Sequence, residues 1–177
     1  MNSARTSENG DFFVFRVLDD NQELVAYCQF SYFKIYERDL NEREMVFKQL
    51  LGMDSEFISS KVELKVTRED DYVIKDNILT DKQGDEYTFK AKHCHLEDIV
   101  ILSDEFQGIG LGTAMLKMTE NLARKNNCTQ IEGYYCPHGK FKNASSDFYT
   151  RNGYYVEGVK TNKRVFKQLT NPAVVVD

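Results

Sequence analysis

The apolar and polar positions in the first half of the chain predict a strand-rich region. Aromatic and β-branched residues predict strands at 12–17 and 24–33, and an apolar–polar alternation predicts another at 62–66. The polar stretch 76–86 predicts a hairpin or a loop, and the next strand is expected to begin within 87–89. One helix is expected to interrupt this pattern.

That helix is predicted from a capping box. The Asn41 side chain can accept a hydrogen bond from the Glu44 amide, while the Glu44 carboxylate can reach back to the Asn41 amide. We expect the helix to stop at Gly52, because glycine readily adopts the left-handed conformation found after helix ends.

The second half of the chain predicts strands and helices in alternation. The apolar run 96–102 predicts a central strand buried on both faces. A helix is predicted from about 109 to 125, because four apolar residues share one of its faces: Leu111, Met115, Met118 and Leu122. The elements expected after it are a strand at 130–135, a short helix at 145–152 stopped by Gly153, and strands at 154–157 and 164–169. This order predicts a mixed α/β sheet.

Composition and charge narrow the class of protein. The 177 residues are 41% hydrophobic, slightly low for a globular protein but well above a disordered one. One folded domain is expected at 11–177, after a disordered polar lead-in at 1–10. The net charge of −5 argues against nucleic-acid binding and mildly favours a cationic partner. We find no signal peptide and no apolar run long enough to span a membrane, so a cytoplasmic protein is expected.

The four cysteines carry no sign of an oxidising compartment and are expected to be free thiols. They are Cys28, Cys94, Cys128 and Cys136.

The most informative segment is 107–113, with the sequence Gln-Gly-Ile-Gly-Leu-Gly-Thr. It joins a predicted buried strand to a predicted amphipathic helix, where unpaired helix-start amides can bind a pyrophosphate. The alternative is a tight turn whose glycines serve packing alone. A P-loop is excluded because no lysine follows Gly112. A dinucleotide fingerprint is disfavoured by the glycine spacing, and only about a third of the chain remains after it.

Two spaced motifs resemble the GNAT superfamily of N-acetyltransferases. Gln107, Gly110 and Gly112 match its Gln/Arg-x-x-Gly-x-Gly/Ala signature. The segment 148–154, Phe-Tyr-Thr-Arg-Asn-Gly-Tyr, is similar to the Phe-Tyr-x-x-x-Gly-Phe/Tyr element that closes the coenzyme site in that family. The resemblance covers roughly 96–157.

The resemblance implies an α+β fold, a single domain with a mixed, mostly antiparallel sheet of about six to seven strands flanked by helices. It also implies an N-acetyltransferase that moves the acetyl group of acetyl-CoA to a primary amine of a small molecule, peptide or protein. Family members are often homodimers, so a homodimer is a further possible partner arrangement.

The resemblance assigns coenzyme contacts residue by residue. The backbone amides expected to bind the pyrophosphate follow Gln107 and are those of Gly108, Ile109, Gly110, Leu111, Gly112 and Thr113. The pantetheine arm is expected along the backbone of Val100, Ile101 and Leu102, where a bulge in the family's strand opens a V-shaped slot.

The same resemblance indicates candidates for acid–base chemistry. Tyr149 occupies the family position of the acid that protonates the leaving thiolate, and Glu97 occupies that of a base. Alternation places His93 and His95 on the Glu97 face, so either could substitute, as could water. A backbone amide near Leu102 could stabilise the oxyanion.

Several alternatives stay open. The family often carries Asn where this chain has Lys142, and Asn143 is one residue away, so either residue could contact the coenzyme. A zinc site built from the 93–95 cluster, Cys136 and His138 is disfavoured, because the usual ligand spacings are absent. A catalytically silent module that binds acetyl-CoA is the alternative to an enzyme.

Overall fold

The computed structural model describes residues 12–50, 60–70, 72–135, 144–159 and 162–169. The lead-in at 1–10 and Gly52 lie outside these ranges, as do Cys136 and His138. So do Lys142 and Asn143. The described residues form nine strands and three helices. The strands are β1 (Phe12–Leu18), β2 (Leu24–Asp39), β3 (Lys61–Val66), β4 (Val73–Lys75), β5 (Ile78–Thr80), β6 (Glu86–Ile101), β7 (Gln130–Tyr135), β8 (Tyr155–Val159) and β9 (Asn162–Gln168). The helices are α1 (Glu42–Leu50), α2 (Leu111–Lys125) and α3 (Ala144–Arg151).

Contacts divide the chain into two units, of which one is Phe33–Ala91. The predicted capping box begins its helix α1: the Glu44 N–H donates to Asn41 Oδ1, and the Asn41 N–H donates to Glu44 Oε2, both at 3.0 Å. Strand β3 pairs with the second half of β2, and β4, β5 and β6 pair in succession. Its core consists of Tyr36, Val66, Leu79 and Tyr87.

The other unit comprises the described parts of Met1–Tyr32 and Lys92–Asp177, and it contains every residue of the site discussed below. Its strand order is β1-β2-β6-β7-β9-β8. The β6–β7 pairing is parallel, as expected for strands joined by a crossover helix, whereas β7–β9 and β8–β9 are antiparallel. The apolar face of α2 packs into the core through Met115 and Leu116, with Leu111 and Leu122 at its margin.

The mixed, mostly antiparallel fold class is confirmed, but the predicted strand number is too low. The excess comes from the short hairpin of β4 and β5, whose turn residues Asp76 and Asn77 both have positive φ. The polar stretch 76–86, predicted to be a hairpin or a loop, belongs to a hairpin, whose strand Ile78–Thr80 is too short to produce a period-two pattern.

The strand predicted at 96–102 was wrong in extent and in burial. A single strand β6 runs from Glu86 to Ile101, and Leu102 lies beyond it with 54% of its surface exposed. Leu96 is buried, but Glu97 and Asp98 are exposed, so the strand is buried on one face only. Strand β2 is likewise longer than predicted, and α2 begins two residues later than predicted.

Strands β6 and β7 pair over only part of their lengths. Residues His93–Leu96 pair with Gln130–Gly133, whereas β6 continues to Ile101 and β7 to Tyr135. At the last pair the backbones lie so close that a Cβ on Gly133 would be 2.6 Å from the Leu96 carbonyl oxygen. The pairing of the two strands therefore ends at a point where their backbones lie very close together.

Candidate functional site

The turn between β6 and α2 is built from glycines in the left-handed conformation. A 3₁₀ turn, Asp104–Phe106, follows the strand, and the Gln107 side chain donates to Asp104 Oδ1 at 2.6 Å. Gly108 and Gly110 then have φ of +76° and +88°. Side chains with L chirality rarely adopt these angles, which explains glycine at both positions.

Packing does not explain these two glycines. A Cβ built on Gly108 or Gly110 would have no described atom within 4 Å. The interpretation that glycines serve packing alone is therefore wrong for this pair. Gly112 does have a packing role, since a Cβ there would meet the Phe148 ring at 3.3 Å, and it also lines the cavity.

The start of α2 presents backbone donors to the cavity described next. The first helical hydrogen bond runs from the Ala114 N–H to the Gly110 carbonyl oxygen at 3.0 Å. The N–H groups of Leu111, Gly112 and Thr113 precede that bond and have no helical carbonyl to donate to. They lie at the positive end of the helix dipole, which favours an anion.

A cavity of about 740 Å³ opens at this turn. Six of the ten residues predicted to contact the coenzyme line it: Ile101, Gly108, Gly110, Leu111, Gly112 and Thr113. The other four, Val100, Leu102, Gln107 and Ile109, do not, nor do Glu97 and Tyr149. The structure thus brings most of the residues predicted to bind the pyrophosphate together around one cavity.

The second motif forms the opposite wall. Phe148, Arg151, Asn152 and Gly153 line the cavity from α3 and its C-terminal end. The helix ends as predicted at Gly153, which has φ +79°. The Asn152 side-chain amide donates to the Phe148 carbonyl oxygen at 2.8 Å and lies 3.5 Å from Thr113 Oγ1. The two motifs therefore meet in space.

The cavity also has charged residues that the sequence did not indicate: Lys117, Glu120, Arg151 and Lys167. Glu120 is buried and its carboxylate pairs with Lys167 at 2.9 Å and with Arg124 at 3.3 Å. The Lys167 ammonium also donates to the Asn152 carbonyl oxygen at 2.9 Å and lies over the Tyr154 ring. Lys167 comes from the last strand, so no local motif could have identified it.

Glu97 lies at the point where β6 and β7 part. Its carboxylate accepts a hydrogen bond from Ser31 Oγ at 3.1 Å, and its Oε2 is 3.6 Å from His95 Nε2. The next residue, Asp98, also accepts a hydrogen bond from a β2 side chain, that of Tyr27. Tyr27 and Ser31 are four residues apart and share a face of β2, so the alternation of β6 is interrupted at Glu97–Asp98.

Tyr149 is half-buried on α3. Its ring makes edge-on contacts with Phe148 and Tyr154, at centroid distances of 5.1 and 5.9 Å, and packs against the main core. Burial raises the pKa of the neighbouring Tyr154 phenol, with the Glu120 charge as a second cause. Tyr154 therefore stays neutral beside the Lys167–Glu120 pair.

The backbone hydrogen bonding bears on the predicted oxyanion donor, a backbone amide near Leu102. The Leu102 N–H donates to the Val25 carbonyl oxygen at 2.9 Å. This amide is already engaged by β2 and is therefore not a donor for an oxyanion. The sequence could not predict this hydrogen bond, because it does not show which neighbouring strand pairs with the end of β6.

The described cysteines are free, as predicted: Cys28, Cys94 and Cys128 are buried thiols. Among the described residues no group of three or more His, Cys, Asp or Glu side chains could hold a metal ion. No described helix is long and apolar enough to cross a membrane.

Comparison with known proteins identifies the fold. No protein-family model and no curated protein sequence matches the chain. An acetyltransferase of the GNAT family from Staphylococcus aureus Mu50 superposes with a TM-score of 0.50 and 10% identity, covering 93% of this chain and 72% of that one. The GNAT domain of PAT from S. lividans superposes with a TM-score of 0.50 and 12% identity, covering 92% of this chain and 64% of that one. The chain therefore has the GNAT acetyltransferase fold, as predicted.

Proposed function

We propose that this protein transfers the acetyl group of acetyl-CoA to a primary amine of a small molecule, peptide or protein. The observation that carries the proposal is the cavity at the start of α2, where left-handed glycines, unpaired helix-start amides and cationic side chains surround one space. Such a site fits a diphosphate. The fold supports the same function, because its solved examples include acetyltransferases.

In this proposal the coenzyme's diphosphate lies against the amides of 108–113. Its pantetheine arm runs along the backbone of Val100, Ile101 and Leu102 toward the place where β6 and β7 part. Backbone groups that are not paired between these strands can bind an extended amide chain as a further strand would. The coenzyme supplies an activated thioester, and the protein supplies orientation and proton transfer.

Glu97 is the proposed base. An amine must lose a proton to attack a thioester carbonyl, and a carboxylate can accept that proton directly or through water. Ser31 donates a hydrogen bond to the Glu97 carboxylate, and His95 Nε2 lies 3.6 Å from it, beside the end of the β6–β7 pairing. Tyr149 is the proposed acid for the departing thiolate, held in place by its aromatic neighbours.

The decisive experiment combines calorimetry with acetyl-CoA and a thiol-release assay across amines and peptides. The wild-type protein is expected to bind acetyl-CoA and to release thiol with at least one acceptor. Binding without release for every acceptor would instead support the silent coenzyme-binding module. Absence of binding would contradict both functions.

Two variants test the catalytic assignments. Tyr149→Phe and Glu97→Gln are each expected to lower kcat by about 10²-fold or more, the usual contribution of general acid or base catalysis. The dissociation constant for acetyl-CoA should stay within about two-fold, since neither side chain lines the cavity. The control is Tyr155→Phe, the same change at an exposed tyrosine on β8, which should leave kcat unaltered. Equal losses of kcat and coenzyme affinity would assign Tyr149 to packing.

A further inference from the structure

The cavity has cationic side chains in addition to the backbone donors of the turn. Three of its lining residues are cations, Lys117, Arg151 and Lys167, and one is a carboxylate, Glu120. That carboxylate is shared between Lys167 and Arg124, which lies outside the lining. In the described part of the chain no carboxylate pairs with Lys117 or Arg151. A protein with a net charge of −5 thus has a locally cationic wall here.

These cations come from residues outside the 107–113 turn. Lys117 follows Leu111 by six residues, which places it about 9 Å further along α2. Arg151 ends α3 and Lys167 belongs to β9. Three separate elements therefore bring positive charge to the cavity, in addition to the helix-start donors.

Lys167 is fixed in place before any ligand arrives. Its ammonium contacts Glu120, the Asn152 carbonyl oxygen and the Tyr154 ring, and only a quarter of its side chain is exposed. A lysine immobilised in this way has already lost its conformational entropy, so binding an anion does not incur that cost again. Arg151 is similarly oriented, because its Nε donates to the Asp147 carbonyl oxygen at 3.1 Å.

We propose that Lys117, Arg151 and Lys167 form a subsite for a phosphate monoester, namely the 3′-phosphate on the ribose of coenzyme A. The inference rests on the proposed function. A phosphate monoester carries close to two negative charges at neutral pH, and it is the one strongly charged group of the coenzyme that the turn does not serve. The protein accordingly selects CoA over 3′-dephospho-CoA.

The test is calorimetry on the full chain with CoA and with 3′-dephospho-CoA. Wild type is expected to bind CoA at least ten-fold more tightly, with the ratio falling as salt is raised because these charges are partly exposed. The Lys117→Gln, Arg151→Gln double variant should bring the ratio to within about three-fold of unity by weakening CoA binding alone. Lys125→Gln, on the same helix but outside the cavity, is the matched control and should keep the wild-type ratio.

Each outcome is decisive. Equal wild-type affinities for the two ligands would overturn the subsite while leaving the proposed function intact. A double variant that weakens both ligands equally would also overturn it, by showing that these cations serve the diphosphate. Wild-type protein that binds neither ligand would refute the proposed function and this inference together. Thermal melting checks that the exposed-residue variants are folded, and Lys167→Gln extends the series because Glu120 keeps Arg124 as a partner.

Discussion

Gly110 and Gly84 have almost the same φ angle in different surroundings. Their φ values are +88° and +86°, and a Cβ on either would meet no described atom within 4 Å. Gly110 lines the cavity and Gly84 does not. A side chain should cause similar backbone strain at the two positions. Comparing the same substitution at both therefore distinguishes the effect of strain from a role of Gly110 in binding.

Gly110→Glu is expected to abolish binding of acetyl-CoA, because a carboxylate would enter the space meant for the diphosphate. Gly84→Glu should cost a similar 1–2 kcal/mol or so of stability through left-handed strain and leave affinity unchanged. Calorimetry and thermal melting of both variants provide the comparison. Unaltered affinity in Gly110→Glu would mean that the turn does not hold the coenzyme.

Single residues were predictable where their chemistry depends on local sequence. The capping pair Asn41–Glu44 and the turn glycines follow from neighbours within a few positions, and the structure bears them out. Lys117 and Lys167 were missed because their common position depends on the sheet order, which places β9 beside β7. The interaction of the Leu102 amide with Val25 was missed for the same reason.

Strand β7 depends on Gly133 for its approach to β6. Gly133→Ala would place a methyl group 2.6 Å from a backbone oxygen that belongs to the neighbouring strand and cannot rotate away. We expect a loss of about 1–3 kcal/mol of stability, as for overpacked cores. We also expect faster hydrogen exchange at the amides of Ile131 and Glu132. The control is Gly84→Ala, which introduces backbone strain but no close contact and should leave hydrogen exchange in β7 unchanged. Equal exchange rates in the two variants would show that the contact with the Leu96 carbonyl oxygen is not the cause.

Elements were predicted well in type and less well in length. Helix α2 and strand β7 follow a clear periodicity and occur essentially where expected. Strand β6 was divided into two because its middle, around Lys90 and Lys92, is polar on an exposed surface and has no apolar signature. Its interruption at Glu97–Asp98 is invisible in the sequence, since two consecutive acidic residues look like any solvated strand end.

The molecule as a whole should lose stability in alkaline solution through its buried thiols. Burial raises the pKa of Cys28 and of Cys128 from 9.0 to about 11. A folded-state pKa above the unfolded value gives stability that is complete below about pH 9 and is lost as pH rises toward 11. Urea unfolding between pH 8 and 11 should therefore show a falling free energy of unfolding. In Cys128→Ala the free energy of unfolding should fall less steeply with pH than in the wild type. The same slope in both proteins would exclude the Cys128 thiol as a cause.

Gly112 and Phe148 make one contact from two motifs that lie 36 residues apart. A methyl group at 112 would lie 3.3 Å from the Phe148 ring, so the ring would have to shift by a few tenths of an ångström to admit it. The two motifs by which the sequence is recognised are thus in direct contact, so the size of the side chain at one position affects which side chains fit at the other.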